Sequence, residues 1–386
     1  MQKGTNMKIA YISTLRSASW GGSEELWHQS AEQASLLGHD LAIFVYDWAE
    51  EPRKIVDLRK KGALVYKRRR GRPIMARVLE KIVVKLAGKK PLWLNPYRLL
   101  LQYDPDMIIV TDGSTYYTAD DPDLSLILLQ YFKGKYTIVS QANTDYHLPA
   151  DRPHAILLFE AAYKVFFVSE HNRQLAFHQL AHRFPNAELI QNPVLLRSFE
   201  RKPLPSLDGT IHCAVVGRYA ISDKGQDILI SMLDDDQWRK ANIQFHLYGK
   251  GNDEAYLRQL ITFYGLEDKV TIEGFQEEKS SIWDKCHCLL MCSHTEGTPL
   301  SLIEAMVVGR VCIVTRVGGN EEWIEDGQNG FLVDGPTRRL FSAKLKEAIA
   351  RLDDWEALGK AAHQTAMKKM DPNPGRTLIE RICRTA

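Results

Sequence analysis

The chain has 386 residues, 45% hydrophobic and 25% charged, with a formal net charge of +2. This length suits two domains of roughly 100–200 residues each, and the composition is that of a globular chain with a sizeable core. The near-neutral balance argues against a dedicated nucleic-acid binder, and no run of 18 apolar residues suggests a membrane-crossing helix.

The first residues, Met1-Gln2-Lys3-Gly4-Thr5-Asn6-Met7-Lys8, pass into a strand without a signal-peptide core, so a cytoplasmic location is expected. Lys8-Ile9-Ala10-Tyr11-Ile12 predicts that strand. A glycine-bearing loop follows, then a helix over 24–37 stopped by Gly38-His39-Asp40. Residues 41–45, 107–110, 136–139 and 164–168 predict further short apolar strands separated by helical patterns. Alternation of this kind builds a mostly parallel sheet covered on both faces. The segment Arg201-Lys202-Pro203-Leu204-Pro205-Ser206-Leu207-Asp208-Gly209 reads as a linker. A second alternating series has strands at 211–216, 243–248, 270–272, 288–292 and 311–314. The expected organisation is an N-terminal Rossmann-like domain over 1–195, a second over 196–365, and a tail over 366–386 whose helix returns to the first domain. In open α/β sheets ligands bind outside the carboxyl ends of strands, so one site is expected in an interdomain cleft.

Polar and glycine residues recur at the predicted strand ends of the second half. Gly217-Arg218 follows the first strand, with Lys224-Gly225 just before a helix. Gly249-Lys250-Gly251 follows the second strand, and Gly274-Phe275 the third. The fourth is followed by His294-Thr295-Glu296-Gly297-Thr298-Pro299-Leu300-Ser301-Leu302-Ile303-Glu304. There a predicted helix over 301–308, with Pro299 at its start, leaves free N–H groups that suit an anion. Taken alone, Glu296 also suits an exposed loop acid and Glu304 a buried partner for an arginine. Arg218 and Lys224 supply positive charge for a diphosphate, Arg as a fork and Lys as a point charge. Cys286-His287-Cys288 with Cys292 and His294 lacks zinc-ligand spacing and reads as buried free thiols, the usage of a reducing compartment. Asp234-Asp235-Asp236 reads as a solvated charge run rather than a metal motif.

The ordered set resembles the retaining glycosyltransferases of the GT-B fold, family 4. It comprises Gly217-Arg218, Lys224-Gly225, Gly249-Lys250-Gly251, Gly274-Phe275, Glu296 with Glu304, Gly318-Gly319-Asn320-Glu321, and Asp326-Gly327-Gln328-Asn329-Gly330. The resemblance implies two Rossmann-like α/β domains and transfer of a sugar from a nucleotide-diphosphate sugar, UDP favoured over GDP, with no cofactor or metal. It implies that Arg218 and Lys224 hold the diphosphate and that Glu304 bonds the ribose. Glu296 would hold the donor sugar, helped by backbone near Gly297, Thr298, Leu300 and Ser301, and the base would lie at Gly274-Phe275. Gly21 and Gly22, after the first strand, match a turn beside the donor phosphates. Many relatives carry a histidine after the strand at 136–139; here Gln141 or Asn143 stands there, with Asp145 and His147 as acceptor-side candidates.

The basic run Lys67-Arg68-Arg69-Arg70-Gly71-Arg72 and the helical pattern after it suit either anionic lipid or a core-packed helix with a solvated basic face. The expected acceptor is a glycan or lipid-linked glycan, with peripheral membrane contact through residues 67–90 and no nucleic-acid partner. A sugar-nucleotide epimerase or hydrolase on the same scaffold, and a non-catalytic sugar-nucleotide-binding subunit, are the alternatives.

Overall fold

A computed structural model describes residues 6–16, 18–69, 83, 85, 90–144 and 147–383. It divides into two compact units, residues 1–193 with 373–386, and residues 194–372.

The first unit is built on a seven-stranded parallel sheet. Its strands are β1 (Lys8–Ser13), β2 (Asp40–Tyr46), β3 (Leu64–Arg68), β4 (Met107–Asp112), β5 (Tyr136–Ser140), β6 (Lys164–Phe167) and β7 (Ala187–Leu189), in the order β3-β2-β1-β4-β5-β6-β7. Period-two alternation sends Ala10, Ile12, Phe44 and Val110 into one core and Ile9, Tyr11, Ile43 and Ile109 into the other. Every residue of β4 and β5 is buried, as expected for strands covered on both faces. The last helix, Pro374–Cys383, adds Leu378, Ile379 and Ile382 to the second of these cores. It approaches the helix Glu25–Leu36 so closely that a Cβ on Gly375 would lie 2.6 Å from that of Gln29.

The second unit carries a six-stranded parallel sheet. Its strands are β8 (Ile211–Val216), β9 (Ile243–Tyr248), β10 (Val270–Gly274), β11 (Cys288–Met291), β12 (Val311–Thr315) and β13 (Phe331–Val333), in the order β10-β9-β8-β11-β12-β13. Cys213, Val215, Phe245 and Leu247 face one core. Ala214, Leu289, Met291 and Val314 face the other, beneath Leu302, Ile303 and Met306 of the helix Leu300–Val307.

Strand order reverses between β1 and β4 in the first sheet and between β8 and β11 in the second. At such a point the loops leave in opposite directions and open a crevice at the carboxyl ends.

Three strands were not among the sequence expectations: β3, β7 and β13. β3 and β7 are edge strands that are only partly covered, and β7 and β13 have only three residues, too short for a period to show. Strand β3 takes up the first two residues of the basic run. Lys67 and Arg68 end a strand, and Arg68 is 5% exposed. Its guanidinium lies between the rings of Tyr46 and Tyr97, 4.3 and 4.6 Å from their centroids, and donates to the carbonyls of Ser13 and Phe44. A cation so enclosed cannot serve a lipid surface. Of the rest of the basic run and the helix predicted after it, residues 70–82, 84 and 86–89 lie outside the described residues.

Candidate functional site

In the C-terminal unit, the loops after β8 and β11 meet at the reversal of strand order. The short helix Ile221–Lys224 ends on Gly225, whose φ of +59° favours glycine. The carbonyl of Asp223 accepts the backbone N–H of His294 at 2.8 Å, which ties the β8 loop to the β11 loop. A Cβ on Gly225 would lie 2.2 Å from the Cys292 carbonyl oxygen, and one on Gly318 (φ +53°) 2.2 Å from that of Glu296. Gly249 and Gly251 are equally constrained: a Cβ there would lie 1.9 Å from the Gly217 oxygen and 2.2 Å from the Tyr219 oxygen. At these four positions the group that excludes a side chain is the protein's own backbone. Glycine lets the strand-end loops pack on one another, and the packed loops fix the charged groups.

Those groups converge. Lys224 Nζ donates to Glu296 Oε1 at 2.5 Å, and Ser293 Oγ donates to the same oxygen at 2.7 Å. Thr315 Oγ1 in turn donates to the Ser293 carbonyl at 2.7 Å. Glu296 is 6% exposed, so its carboxylate is held by a cation and a hydroxyl rather than by water. Arg218 Nη2 meets Asp223 Oδ2 at 2.6 Å, and Gln226 Nε2 donates to the Arg218 carbonyl at 2.8 Å. The helix Leu300–Val307 begins beside them on Pro299, which supplies no side-chain cap to the first-turn N–H groups. Ser301 Oγ donates to the Val216 carbonyl at 3.3 Å and ties the helix start to the end of β8. Glu304, 2% exposed, is on the second turn of that helix, while Gly297 and Thr298 are buried in the loop and Leu300 and Ser301 half-buried. Nearby, Gly249 N–H donates to the Gly274 carbonyl at 2.9 Å. After Gly274 (φ +76°) comes Phe275, 53% exposed, with Lys250 and Lys279 ammonium groups 5.2 and 4.3 Å from its ring centroid. Ser293 and Thr315 were missed in the sequence because no motif marks a lone hydroxyl.

In the N-terminal unit, Gly21 and Gly22 lie in the loop after β1, where Glu24 N–H closes a turn on the Gly21 carbonyl at 3.0 Å. Gln141 follows β5 and is 5% exposed, yet neither polar atom of its amide meets a partner among the described residues. Such a group carries a desolvation cost unless something binds it. Asn143 Nδ2 instead donates to Gln179 Oε1 at 3.0 Å. His147 bridges Ser114 Oγ (2.6 Å, from Nδ1) and Asp120 Oδ2 (3.4 Å, from Nε2). Asp145 lies outside the described residues.

Two buried acids at these strand ends had no sequence signal. Glu24, 3% exposed, accepts Trp27 Nε1–H at 2.9 Å, and burial pushes its pKa up to about 7. Asp112, fully buried at the end of β4, accepts Thr14 and Thr118 hydroxyls at 3.0 and 2.7 Å; burial again raises it to about 7. Among the described residues no three His, Cys, Asp or Glu side chains are grouped to hold a metal ion. Cys286, Cys288 and Cys292 are buried and free.

Comparison with known proteins gives these loops a context. Residues 197–365 match the family of glycosyl transferases group 1. The match covers most of the C-terminal unit and every strand-end loop just described there. The chain is 34% identical over 118 residues to the putative colanic acid biosynthesis glycosyltransferase WcaL of Salmonella typhimurium, covering 28% of this chain and 29% of that protein. It is 35% identical over 127 residues to the N-acetyl-alpha-D-glucosaminyl L-malate synthase of Bacillus anthracis, 32% of each. The chain thus spans about a quarter to a third of the curated relatives it matches. In structure it is similar to Anabaena HepE in complex with UDP (TM-score 0.71, 18% identity, 98% of this chain and 100% of that one). A glycosyltransferase from Rickettsia africae is equally similar (TM-score 0.71, 16% identity, 99% and 100%). The fold is GT-B, with two Rossmann-like α/β units.

Proposed function

We propose that the chain is a retaining glycosyltransferase that moves a sugar from a nucleotide-diphosphate sugar, most readily a UDP-sugar, to a hydroxyl of a glycan or lipid-linked acceptor. The observation that carries this reading is the Lys224–Glu296 pair, fixed beside an uncapped helix start where the strand order of the second sheet reverses. Arg218, Lys224 and the first-turn N–H groups supply the positive potential that a leaving diphosphate needs, in place of a metal ion. Glu304 takes the ribose hydroxyls, the exposed Phe275 ring the base, and Glu296 the hydroxyls of the transferred sugar. Departure and attack occur on one face of that sugar: the C–O bond to the diphosphate breaks, the acceptor oxygen bonds to the same carbon, and the leaving phosphate oxygen takes the acceptor proton. No side-chain nucleophile is required. We place the reaction in the cytoplasm, where the basic residues after Arg68 would be the part to meet an inner membrane face.

The similarity of the C-terminal unit to named glycosyltransferases supports the reaction class. Solved relatives holding UDP and UDP-glucose support the nucleotide. A thermal-shift series with UDP-, GDP- and ADP-sugars tests it, since a ligand that binds only the folded state raises its melting temperature. UDP-sugars are expected to give the largest rise, and folded protein indifferent to all three contradicts the reading. Donor consumed without acceptor would point to an epimerase or hydrolase instead.

A further inference from the structure

At the amino ends of β8 and β9, the opposite edge of the C-terminal sheet from the charged loops, lies a hollow of about 400 Å³. Small-molecule pockets run from roughly 300 to 1,000 Å³, so it has room for far more than a water. Its wall is apolar: Leu207 of the linker, Ile211 and Ile243 at the two strand starts, Trp238, and Ile349 with Leu352. Trp238 belongs to the helix Asp236–Lys240 and Ile349 to the helix Arg338–Ala350. Polar groups of this wall are already engaged. Trp238 Nε1–H and Gln237 Nε2–H both donate to Ser342 Oγ, at 2.8 and 3.2 Å. The Ala241 carbonyl accepts Ile243 N–H at 2.9 Å and Lys269 Nζ–H at 2.6 Å, and the Asn242 carbonyl accepts Ile211 N–H at 2.9 Å. Among the described residues that line the hollow only Lys346 is charged. It is exposed and stands one turn before Ile349, on the same helix face. Its neighbour Glu347 pairs instead with Lys344 at 2.9 Å, and Lys344 also meets Asp326 at 3.1 Å. No carboxylate among the described residues pairs with Lys346.

We propose that this hollow binds a medium-chain fatty acid, its alkyl chain against Ile211, Trp238 and Ile349 and its carboxylate at Lys346. The chemistry of the wall selects that class. A sugar or a nucleoside brings hydroxyls and ring nitrogens that need partners, and the groups that could serve them are already bonded to one another; burying such groups unpaired is unfavourable. A divalent cation finds no carboxylate on the lining. A diphosphate calls for several cations, and the lining offers one. An alkyl chain asks only for apolar contact, and a single negative end matches a single unpaired ammonium. Because Lys346 is exposed, the carboxylate keeps much of its water and no charge has to be buried. The hollow lies wholly within the C-terminal unit, away from the strand-end loops, so this assignment does not depend on the transferase reading.

Calorimetric titration of the full chain with hexanoate, octanoate and decanoate, and with octan-1-ol as the uncharged probe, tests this. Affinity for the acids should rise about threefold to fourfold with each added methylene. Lys346→Ala should weaken octanoate by about threefold, as befits an exposed ion pair, while octan-1-ol stays within about twofold of its original affinity. Lys346→Arg should restore the acid. Leu207→Ser, which removes apolar wall without touching the charge, should weaken octanoate and octan-1-ol alike by about fivefold. Both altered positions are exposed, so an unchanged melting temperature is expected and shows that each variant is folded. Saturating UDP should leave octanoate bound. Any of five results overturns the proposal: no alkanoate binding, no gain with chain length, octanoate affinity unchanged by Lys346→Ala, displacement of octanoate by UDP, or a dimer of the chain that octanoate dissociates. The last would give the hollow to a second copy.

Discussion

The two units share a topology and differ in how they handle charge at their strand ends. At the reversal in the second sheet, Glu296 is paired with Lys224, and Arg218 with Asp223. At the reversal in the first, Asp112 and Glu24 are buried among hydroxyls and an indole, with pKa values near 7. One unit offsets its acids with cations. The other raises the pKa of its acids by burial. The same fold thus presents two chemistries, and the difference comes from a few loop residues rather than from the sheets.

The largest effect should come from the crowded glycines of the second unit. Gly318→Ala forces a Cβ to within 2.2 Å of the Glu296 oxygen at a φ of +53°. A loss on the order of 2–3 kcal/mol in urea unfolding is expected, together with loss of UDP binding. Gly134→Ala is the control in the first unit: φ is +77° but the space is open, so strain alone should cost about 1 kcal/mol. Equal losses would show that packing against backbone is not what holds the strand-end loops of the second unit.

Next in size is the buried acid. The folded chain keeps the Glu24 proton to about pH 7, whereas the unfolded chain releases it near its ordinary 4.5. Glu24 therefore costs nothing below pH 4.5 and progressively more as pH rises towards 7. Glu24→Gln should stabilise the protein by on the order of 2 kcal/mol at pH 8 and hardly at all at pH 4. A pH-independent change would remove burial as the cause.

The smallest effect concerns histidines of the second unit. His246 Nδ1 faces Glu273 at 2.8 Å and must donate to it, so Nε2 accepts from His212 Nδ1 at 2.9 Å. His287 Nδ1 accepts the His212 backbone N–H at 3.0 Å. Burial lowers the pKa of both His246 and His287, although Glu273 beside His246 works the other way. As pH falls below the ordinary 6.5 the unfolded chain takes protons that the folded one refuses, and stability is lost. Melting followed from pH 7 to 5 should show a fall that His246→Gln reduces by about 1 kcal/mol or less. No reduction would mean that His246 is not the group responsible.

How much of this was legible follows the same division. The strand-end loops of the second unit could be read because they are built from residue types with narrow uses: glycines at positive φ or against backbone, and charges at fixed offsets from strands. The covered strands were equally readable as apolar runs. The edge strand β3 was not, because Lys67 and Arg68 look like surface charge until Tyr46 and Tyr97 are seen to enclose Arg68. Glu24 and Asp112 were invisible for a related reason. A carboxylate written in a loop looks solvated, and only packing distant in sequence shows that it is dry. Ser293, which holds Glu296, and Thr315, which holds Ser293, have no pattern of their own.

Binding of a nucleoside diphosphate by the charged loops of the second unit is decided by calorimetric titration of UDP into the unmodified chain, Lys224→Ala and Glu304→Ala. Measurable binding is expected, weakened about tenfold or more by each substitution through loss of a charge-assisted contact. Unchanged affinity in both folded variants would contradict it.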